Sequence, residues 1–325
     1  MLEIRSLPWD QTDIRELALL TCAAFQASKD RGLARISVEG MEQWFRRLRF
    51  DVPPVVLQVH SDGKVLGGLL LFIQDETRVE INPWALNGHP FVLSEEEDER
   101  IAIMLLQEAQ AYVRSQGYTR LELNFKQTAG DPIPFYERYP EWYTSLGFQV
   151  VTETAIMRRP LKTLGFEIPQ LPLGFRLHPL LDFEDETIYR IYYEVYSASL
   201  NRFFLDQSDE ERRAFFDEDF SRDDPVNEDT SLMLLKDDEL VGFSLMRPTH
   251  GPENVHLWKF GIHKAYRRRG LGKGLLRLIM ARSSEQGLKT MSLGVEPNNT
   301  PAYTLYLSHG FKEEVRQTEY VWKPG

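Results

Sequence analysis

An internal repeat, with an offset of about 170 residues, constrains the fold of this 325-residue chain more than any other feature of its sequence. Each copy begins with a short strand-like segment that is followed by apolar residues at helical spacing. These segments are LEIRSL at Leu2–Leu7 and GFRLHPL at Gly174–Leu180. Because the length also suits two ordinary domains, the repeat predicts two copies of one folding unit.

The later landmarks of the repeat recur in the same order. KVLGGLLLF at Lys64–Phe72 matches ELVGFSLM at Glu239–Met246, and each apolar run follows a polar turn typical of a β-hairpin. An amphipathic helix then ends at Gly117 or Gly287, where a left-handed cap is expected. A strand and an aromatic-rich helix ending in Gly-Phe follow in both halves: YTRLELNF with SLGF, and LKTMSLGV with SHGF. We therefore predict an α/β fold of two tandem domains, each a mostly antiparallel mixed sheet flanked by helices.

The domain boundary is predicted in a segment that interrupts the repeat. Met157–Gly174 contains three prolines and shows no hydrophobic periodicity, which favours a linker. We place the boundary near residue 165, which gives domains 1–165 and 166–325. Two acidic segments also stand outside the repeat: Ser94–Arg100, with five acids in a row, and Asp206–Asp229, with eleven acids and three arginines. A solvated surface or a helix start explains both.

Charge and cysteine content narrow the class of protein. The formal net charge of −11 argues against general nucleic-acid binding, because contacts to phosphates need a basic face. Cys22 is the only cysteine, which excludes an intramolecular disulfide and a cysteine-based zinc site, and no metal site is predicted. The first residues lack a signal-peptide pattern, and no apolar run reaches about 18 residues. We expect a cytoplasmic protein without a membrane segment.

The stretch YRRRGLGKGLL at Tyr266–Leu276 combines three arginines with three glycines. It follows a predicted strand, Asn254–Ile262, and opens a predicted helix. This order aims unpaired backbone N–H groups and the positive end of a helix dipole at one point. Gly270 and Gly272 remove side chains that would block a close approach. The sequence therefore predicts a site for an anion with many oxygens, such as a pyrophosphate.

Two familiar anion-binding patterns do not fit this loop. A Walker loop needs glycine five residues before Gly272 and serine or threonine after Lys273, where this sequence has Arg267 and Gly274. The dinucleotide pattern Gly-x-Gly-x-x-Gly fails at its third glycine, which is Leu275 here. Neither a P-loop nor a Rossmann site is indicated.

Arg-x-x-Gly-x-Gly at Arg267–Gly272 resembles the acetyl-coenzyme A loop of the GCN5-related N-acetyltransferase (GNAT) superfamily. In that family a helix, a strand and the pattern Asn-x-x-Ala-x-x-Leu-Tyr-x-x-x-Gly-Phe follow the loop. This sequence has those residue types at the same spacings: Asn299, Ala302, Leu305, Tyr306, Gly310 and Phe311. The resemblance covers about 150 residues and implies two tandem GNAT-like domains, of which the second binds acetyl-coenzyme A.

The resemblance also implies which residues contact the coenzyme. Backbone N–H groups of Arg268–Lys273 would hold the pyrophosphate, the strand end would pair with the pantetheine arm, and the arginines would supply positive charge. The implied cofactor-binding residues are Phe260, Gly261, Ile262, Arg267, Arg268, Arg269, Gly270, Leu271, Gly272, Lys273, Gly274, Asn299 and Tyr306. The alternative is a solvated turn.

Acetyl transfer to an amine needs a neutral amine, a stabilised oxyanion and a protonated leaving thiolate. Tyr306 lies where the family places a tyrosine that faces the coenzyme sulfur, so it is the candidate general acid, although a packing role would also explain it. The backbone amide near Phe260 or Gly261 is the expected group that polarises the thioester carbonyl.

The candidate general base departs from the family. Where the family often has a carboxylate, six residues before the end of the strand, this sequence has His256. Even spacing would put His256 on the same strand face as Trp258, and histidine titrates near neutral pH. A structural histidine is an equally good interpretation, and Glu253 and Glu296 are weaker candidates.

The first copy has the fold landmarks without this chemistry. Ser94–Arg100 replaces the cationic loop, and its carboxylates would repel a pyrophosphate. We expect a degenerate, structural domain there. Its aromatic cluster at Phe135–Tyr143 could line an acceptor site, although a packed helix explains it better.

We predict an acetyl-coenzyme A-dependent N-acetyltransferase that transfers acetyl to a primary amine by direct attack on the thioester. The acceptor would be a small molecule or a peptide, without a nucleic-acid or membrane partner, and the protein a monomer or homodimer. One alternative is an acyl-coenzyme A-binding regulatory protein without turnover. Another is a tandem aminoacyl transferase that uses aminoacyl-tRNA, which the acidic composition disfavours.

Overall fold

The computed structural model describes residues 2–27, 37–82, 91–92, 98–128, 139–161, 171–249 and 253–325. The chain divides into two compact units. Unit 1 comprises Met1–Glu153 and Gln317–Gly325, and unit 2 comprises Thr154–Arg316.

Unit 1 is a mixed sheet with helices on both faces. Its strands follow the order β1-β2-β3-β4-β6, with β5 beside β3, and its pairs are antiparallel except the parallel pair β4–β6. The elements are β1 (Glu3–Pro8), α1 (Ile14–Ala27), α2 (Val38–Arg47), β2 (Val55–Ser61), β3 (Lys64–Ile73), β4 (Arg78–Ile81), β5 (Phe91–Val92), α3 (Asp98–Gln116), β6 (Arg120–Thr128), α4 (Tyr139–Ser145), the start of β7 (Gln149–Pro160) and the end of β13 (Lys312–Trp322).

Unit 2 repeats this arrangement in the order β8-β9-β10-β11-β12, with the end of β7 beside β12. Its pairs are again antiparallel except one, β11–β12. The further elements are β8 (Phe175–Pro179), α5 (Asp185–Ser197), α6 (Arg202–Leu205), α7 (Asp209–Asp219), β9 (Leu232–Lys236), β10 (Glu239–Pro248), β11 (Asn254–Ile262), α8 (Leu271–Glu285), β12 (Thr290–Val295) and α9 (Thr300–Ser308). The predicted α/β class and the repeat are confirmed.

Local turn chemistry explains why the copies share their boundaries. Gly117 after α3 and Gly287 after α8 have φ of 81° and 82°, the left-handed conformation predicted for both caps. The hairpin turns before β3 and β10 likewise place Asp62 and Asp237 at φ of 51° and 56°. Aspartate tolerates this region better than most side chains, so both hairpins close at the predicted positions.

The compact units differ from the predicted domains 1–165 and 166–325. Residues 155–160 of β7 pair with β12 of unit 2, from Ala155 opposite Val295 to Pro160 opposite Thr290. At the other end of the chain, Gln317–Gly325 belong to unit 1. The limits of the compact units follow strand pairing, because pairing satisfies the backbone hydrogen bonds. The proline content that placed the predicted boundary does not indicate which strands pair. Residues 162–170 lie outside the described part.

Each unit buries apolar side chains on both faces of its sheet. In unit 1 one core lies against α3 and α4, and a second core lies against α1 and α2. In unit 2 one core lies against α8 and α9, and the other against α5, α6 and α7. This is a three-layer arrangement. Among the helices that the structure describes, none combines the length and apolar character that crossing a bilayer requires.

The segments outside the repeat have local explanations. In Asp206–Asp229, Ser208 and Glu211 form a capping box at the start of α7, which confirms a helix start. Tyr139, Trp142 and Tyr143 of the aromatic cluster are buried in the core of unit 1, as a packed helix requires. Residues 94–97 and 135–138 lie outside the described part of the chain.

Candidate active site

A cleft opens in unit 2 where two parallel strands separate. β11 pairs with β12 from Asn254 opposite Thr290 to Leu257 opposite Leu293. β11 then continues along β10 as far as Ile262, while β12 no longer accompanies it. The gap beside the end of β11 is a cleft of about 480 Å³.

The loop before α8, the starts of α8 and α9, and the end of α5 also line this cleft. The structure brings most of the predicted cofactor-binding residues together here: Phe260, Gly261, Ile262, Arg267, Arg268, Gly270, Leu271, Gly272, Lys273, Asn299 and Tyr306. Arg269, Gly274 and His256 are not among its lining residues. Arg269 instead lies over the ring of Tyr266, at 5.3 Å.

A β-bulge in β11 shapes the rim of the cleft. Leu245 of β10 is opposite Lys259, and the next residue is opposite Leu257, so Trp258 is the additional residue. The indole Nε1 of Trp258 donates to Asp219 Oδ1 at 2.7 Å, and Lys259 Nζ lies 2.6 Å from Asp219 Oδ2. Consecutive side chains of a regular strand point to opposite faces, whereas Trp258 and Lys259 both reach the carboxylate of Asp219.

His256 does not line the cleft, although its ring centroid lies 5.5 Å from that of Trp258, which does. Its Nδ1 lies 2.8 Å from Ser292 Oγ on β12, and its side chain is half-buried. Burial lowers the pKa of His256 to about 4, and the charges of Lys259 and Arg158 act in the same direction. The imidazole is therefore neutral at pH 7 and is a weak base.

The loop after β11 ends at the N-terminus of α8. Gly270 is the N-cap of α8 with φ of 78°, and Arg268 also has a positive φ, of 63°. The first helical hydrogen bond joins Gly274 N to Gly270 O at 2.9 Å. The N–H groups of the first turn have no carbonyl before them and lie at the positive end of the helix dipole.

Gly272 faces the space between β11 and α9. A Cβ atom at this position would lie 3.6 Å from Ile262, 3.9 Å from Leu305 and 4.0 Å from Phe260. A side chain here would therefore extend into the cleft. The glycine keeps the first turn of α8 open to a ligand, as predicted.

The three arginines before α8 have different surroundings. The guanidinium of Arg267 donates to backbone carbonyls: Nε to Ile262 O at 2.8 Å, one terminal nitrogen to Val195 O at 2.8 Å, and the other to Ala198 O. Arg267 therefore ties the end of α5 to the end of β11. It also lines the cleft, and the role of its charge towards a ligand stays a prediction. Arg268 is exposed and lines the cleft.

Tyr306 and Glu296 bring two acid–base groups to the cleft. Tyr306 on α9 is 6% exposed, and its ring centroid lies 6.5 Å from that of Phe260. Burial raises the pKa of Tyr306, so the phenol is protonated at neutral pH. Glu296 is also 6% exposed and is the only carboxylate among the described residues that line the cleft.

Sequence reasoning missed Tyr196 in the last turn of α5, which also lines the cleft. The helix carries tyrosines at 189, 192, 193 and 196, a spacing that predicts a core-facing helix and contains no catalytic signal. The packing at Gly261 is also unusually tight, because a Cβ atom at this position would lie 2.2 Å from Val195 Cγ1. Helix α5 therefore packs against the bare backbone of β11.

Comparison with known sequences agrees with this geometry. The sequence model of the acetyltransferase (GNAT) family matches residues 187–311, which include every residue that lines the cleft. The matched residues make up most of unit 2. The chain is 38% identical over 84 residues to a mycothiol acetyltransferase of Corynebacterium glutamicum (strain R), across 26% of this chain and 28% of that relative. The match thus spans little more than a quarter of the relative's length.

Solved structures extend the likeness in fold to the whole chain. A GCN5-related N-acetyltransferase from Sphaerobacter thermophilus covers 100% of the chain, and 96% of its own chain is matched, with a TM-score of 0.62 and 17% identity. A tandem GNAT protein from the clavulanic acid biosynthesis pathway covers 100% of the chain, with 99% of its own chain matched, a TM-score of 0.57 and 18% identity. The fold is therefore that of tandem GNAT proteins.

Proposed function

We propose that the protein is an acetyl-coenzyme A-dependent N-acetyltransferase whose active site is the cleft of unit 2. The observation that supports this most strongly is the separation of β11 from β12 directly beside the N-terminus of α8. The free edge of β11 can bind an extended amide chain, and the helix start can bind a pyrophosphate. Unit 1, in this proposal, is a degenerate copy with a structural role.

The residues of the cleft fit the proposed coenzyme. Open N–H groups in the first turn of α8 and the exposed cations Arg268 and Lys273 suit its phosphates. Gly272 leaves room for the chain between β11 and α9. Acetyl-coenzyme A would supply an acetyl thioester, which is the activated acyl donor.

The side chains in the cleft have the roles that such a transfer needs. The amine nitrogen forms a bond to the carbonyl carbon, the carbon–sulfur bond breaks, and the electron pair goes to sulfur. Tyr306, held neutral by burial, donates its proton to that sulfur. Glu296 attracts the cationic amine and accepts the proton whose loss frees the nitrogen electron pair for attack. After the bond forms, the nitrogen loses a second proton, which restores the phenol of Tyr306. His256 could take part only through water, because it does not line the cleft.

Calorimetry with acetyl-coenzyme A tests the cofactor. We expect binding by the wild type and at least about tenfold weaker binding by Gly270→Glu, because the new carboxylate faces the pyrophosphate site. Gly287→Glu is the matched control, since Gly287 has φ of 82°, lies in open space and follows the opposite end of α8. No binding by the wild type would contradict the proposal.

A panel of small-molecule and peptide amines separates an enzyme from a binding protein without turnover. Thiol release should rise with at least one amine, and Tyr306→Phe should abolish most of that increase because the leaving sulfur loses its proton donor. Tyr303→Phe is the control: Tyr303 is on the same helix, but its hydroxyl donates to Glu313 at 2.8 Å. If the two variants behave alike, Tyr306 is not the acid.

The position of His256 favours the binding-protein alternative, because the predicted base is absent from the cleft. If acetyl-coenzyme A binds and no amine raises thiol release above the rate of hydrolysis, the binding protein becomes the better interpretation. Glu296→Gln distinguishes the two further. It should lower turnover and leave coenzyme binding unchanged if Glu296 serves the amine.

A further inference from the structure

Tyr196 holds a fixed position at the inner end of the cleft. Its ring packs between Tyr192, at 4.7 Å between centroids, and Phe204, at 5.5 Å. The neighbouring Val195 lies against Gly261, so α5 and β11 are as close as their backbones allow. These contacts confine the ring, and Tyr196 lines the cleft together with Phe260 and Gly261 of β11.

The alternation of hydrogen bonds along β11 shows which backbone amide faces the cleft. His263 N donates to Val241 O at 2.7 Å, and the pairing with β10 runs without a shift from that point back to Phe260, opposite Ser244. Hydrogen-bonded and non-hydrogen-bonded pairs alternate in an antiparallel ladder. The amide of Gly261 therefore faces β10, and that of Phe260 faces the cleft.

Three hydrogen-bond donors meet at this point. Tyr196, Phe260 and Tyr306 all line the cleft, and the ring centroids of Phe260 and Tyr306 lie 6.5 Å apart. Burial raises the pKa of Tyr196, as it does for Tyr306, so both phenols are protonated at neutral pH.

We propose that Tyr196 is a catalytic residue that, together with the Phe260 N–H, donates a hydrogen bond to the oxygen of the thioester carbonyl. This inference rests on the proposed acetyl transfer. When the nitrogen–carbon bond forms, the π electron pair of the carbonyl moves to its oxygen, and both donors stabilise that charge without losing their protons. Tyr306 remains available to protonate the sulfur.

The first test compares Tyr196→Phe with Tyr193→Phe. Tyr193 is on the same helix, does not line the cleft, and its hydroxyl donates to Asp209 Oδ1 at 3.2 Å. With an amine identified in the panel, we expect kcat to fall by about 100-fold in Tyr196→Phe, the typical loss for one oxyanion donor. The KM of the amine, the affinity for acetyl-coenzyme A and the unfolding midpoint should change little, and Tyr193→Phe should resemble the wild type.

The second test needs no amine. The infrared stretch of bound acetyl-coenzyme A, labelled with ¹³C at the carbonyl, reports the hydrogen bonds to its oxygen. Removing one donor should shift this band to higher wavenumber in Tyr196→Phe and not in Tyr193→Phe.

These measurements separate failure of this inference from failure of the proposed function. If the wild type does not bind acetyl-coenzyme A, the proposed function is wrong. If the coenzyme binds and Tyr196→Phe leaves the carbonyl band at the wild-type position, Tyr196 is not a donor to the carbonyl. A loss of kcat with an unchanged band would assign Tyr196 a structural role and overturn the inference as well.

Discussion

A single missing side chain, at Gly261, sets the distance between α5 and the cleft. The Cβ atom that any other residue would have lies within 2.2 Å of Val195 Cγ1, far inside van der Waals contact. Tyr196 follows Val195 directly, so a displacement of this contact moves a residue of the cleft. Glycine is needed at position 261 because a side chain would not fit there. Its backbone conformation does not require glycine, because its φ is not positive.

We expect Gly261→Ala to lower the free energy of unfolding by about 1–3 kcal/mol through overpacking, and to weaken acetyl-coenzyme A binding. Urea unfolding and calorimetry measure the two effects. Combining Gly261→Ala with Val195→Ala should recover part of the lost free energy of unfolding. A double-mutant cycle detects this coupling between the two positions. Gly274→Ala should not destabilise, since Gly274 is helical with open space around it. Additive effects at positions 261 and 195 would contradict this account.

The buried His256 predicts a pH dependence of stability. Its pKa is about 4 in the folded protein and near 6.5 when exposed, so between these values the unfolded chain binds more protons. The contribution of His256 to the free energy of unfolding is therefore fully present above pH 6.5. It is lost as the pH falls towards 4, and the loss is on the order of 2 kcal/mol. His256→Gln should flatten this dependence in urea unfolding at pH 5 and 7.5. A slope in His256→Gln equal to that of the wild type would refute the assignment.

At the scale of elements, Arg267 joins the end of α5 to the end of β11. Arg267→Lys should lower the free energy of unfolding by about 1.5–3 kcal/mol, because a lysine cannot reach the carbonyls of Ile262, Val195 and Ala198 together. Arg268→Ala, one residue later and exposed, should leave unfolding unchanged and weaken coenzyme binding in a salt-dependent way. Unfolding curves and calorimetry in two salt concentrations distinguish these variants.

Elements whose signals are local could be predicted from the sequence. The glycine caps, the hairpin turns and the strand–loop–helix order around Gly270 depend on neighbours in the chain, and the structure has them where predicted. The bulge at Trp258 depends on a slip of pairing between β10 and β11, and no residue type in β11 indicates it.

The roles of Arg267 and Tyr196 could not be predicted for a related reason. Two of the three partners of Arg267 are carbonyls at the end of α5, about 70 residues earlier in the chain, and carbonyls carry no sequence signal. Tyr196 has the spacing of a core residue and differs from Tyr192 only in facing the splayed edge of β11. Both roles arise from the packing of α5 against Gly261.

At the scale of the whole molecule, the segment Gln317–Gly325 belongs to unit 1 although it follows unit 2 in sequence. Tyr320 and Trp322 are buried in the core of unit 1, at 4% and 5% exposure. Trp322→Ala should therefore cost about 3–5 kcal/mol and act on unit 1. Hydrogen exchange should show lost protection in α3 and β6 and much smaller changes in α8 and β11. Equal losses in both units would refute the assignment.

This placement of Gln317–Gly325 also sets an order of events during synthesis. More than 160 residues must be translated between Glu153 and the segment that completes the sheet of unit 1. At about 5–20 residues per second, a ribosome needs roughly 10–30 s for that interval. Throughout it, the strand β6 lacks the neighbour that β13 later provides, and an unpaired strand edge is an aggregation hazard. The sheet of unit 1 can therefore be completed only after unit 2 has been synthesised.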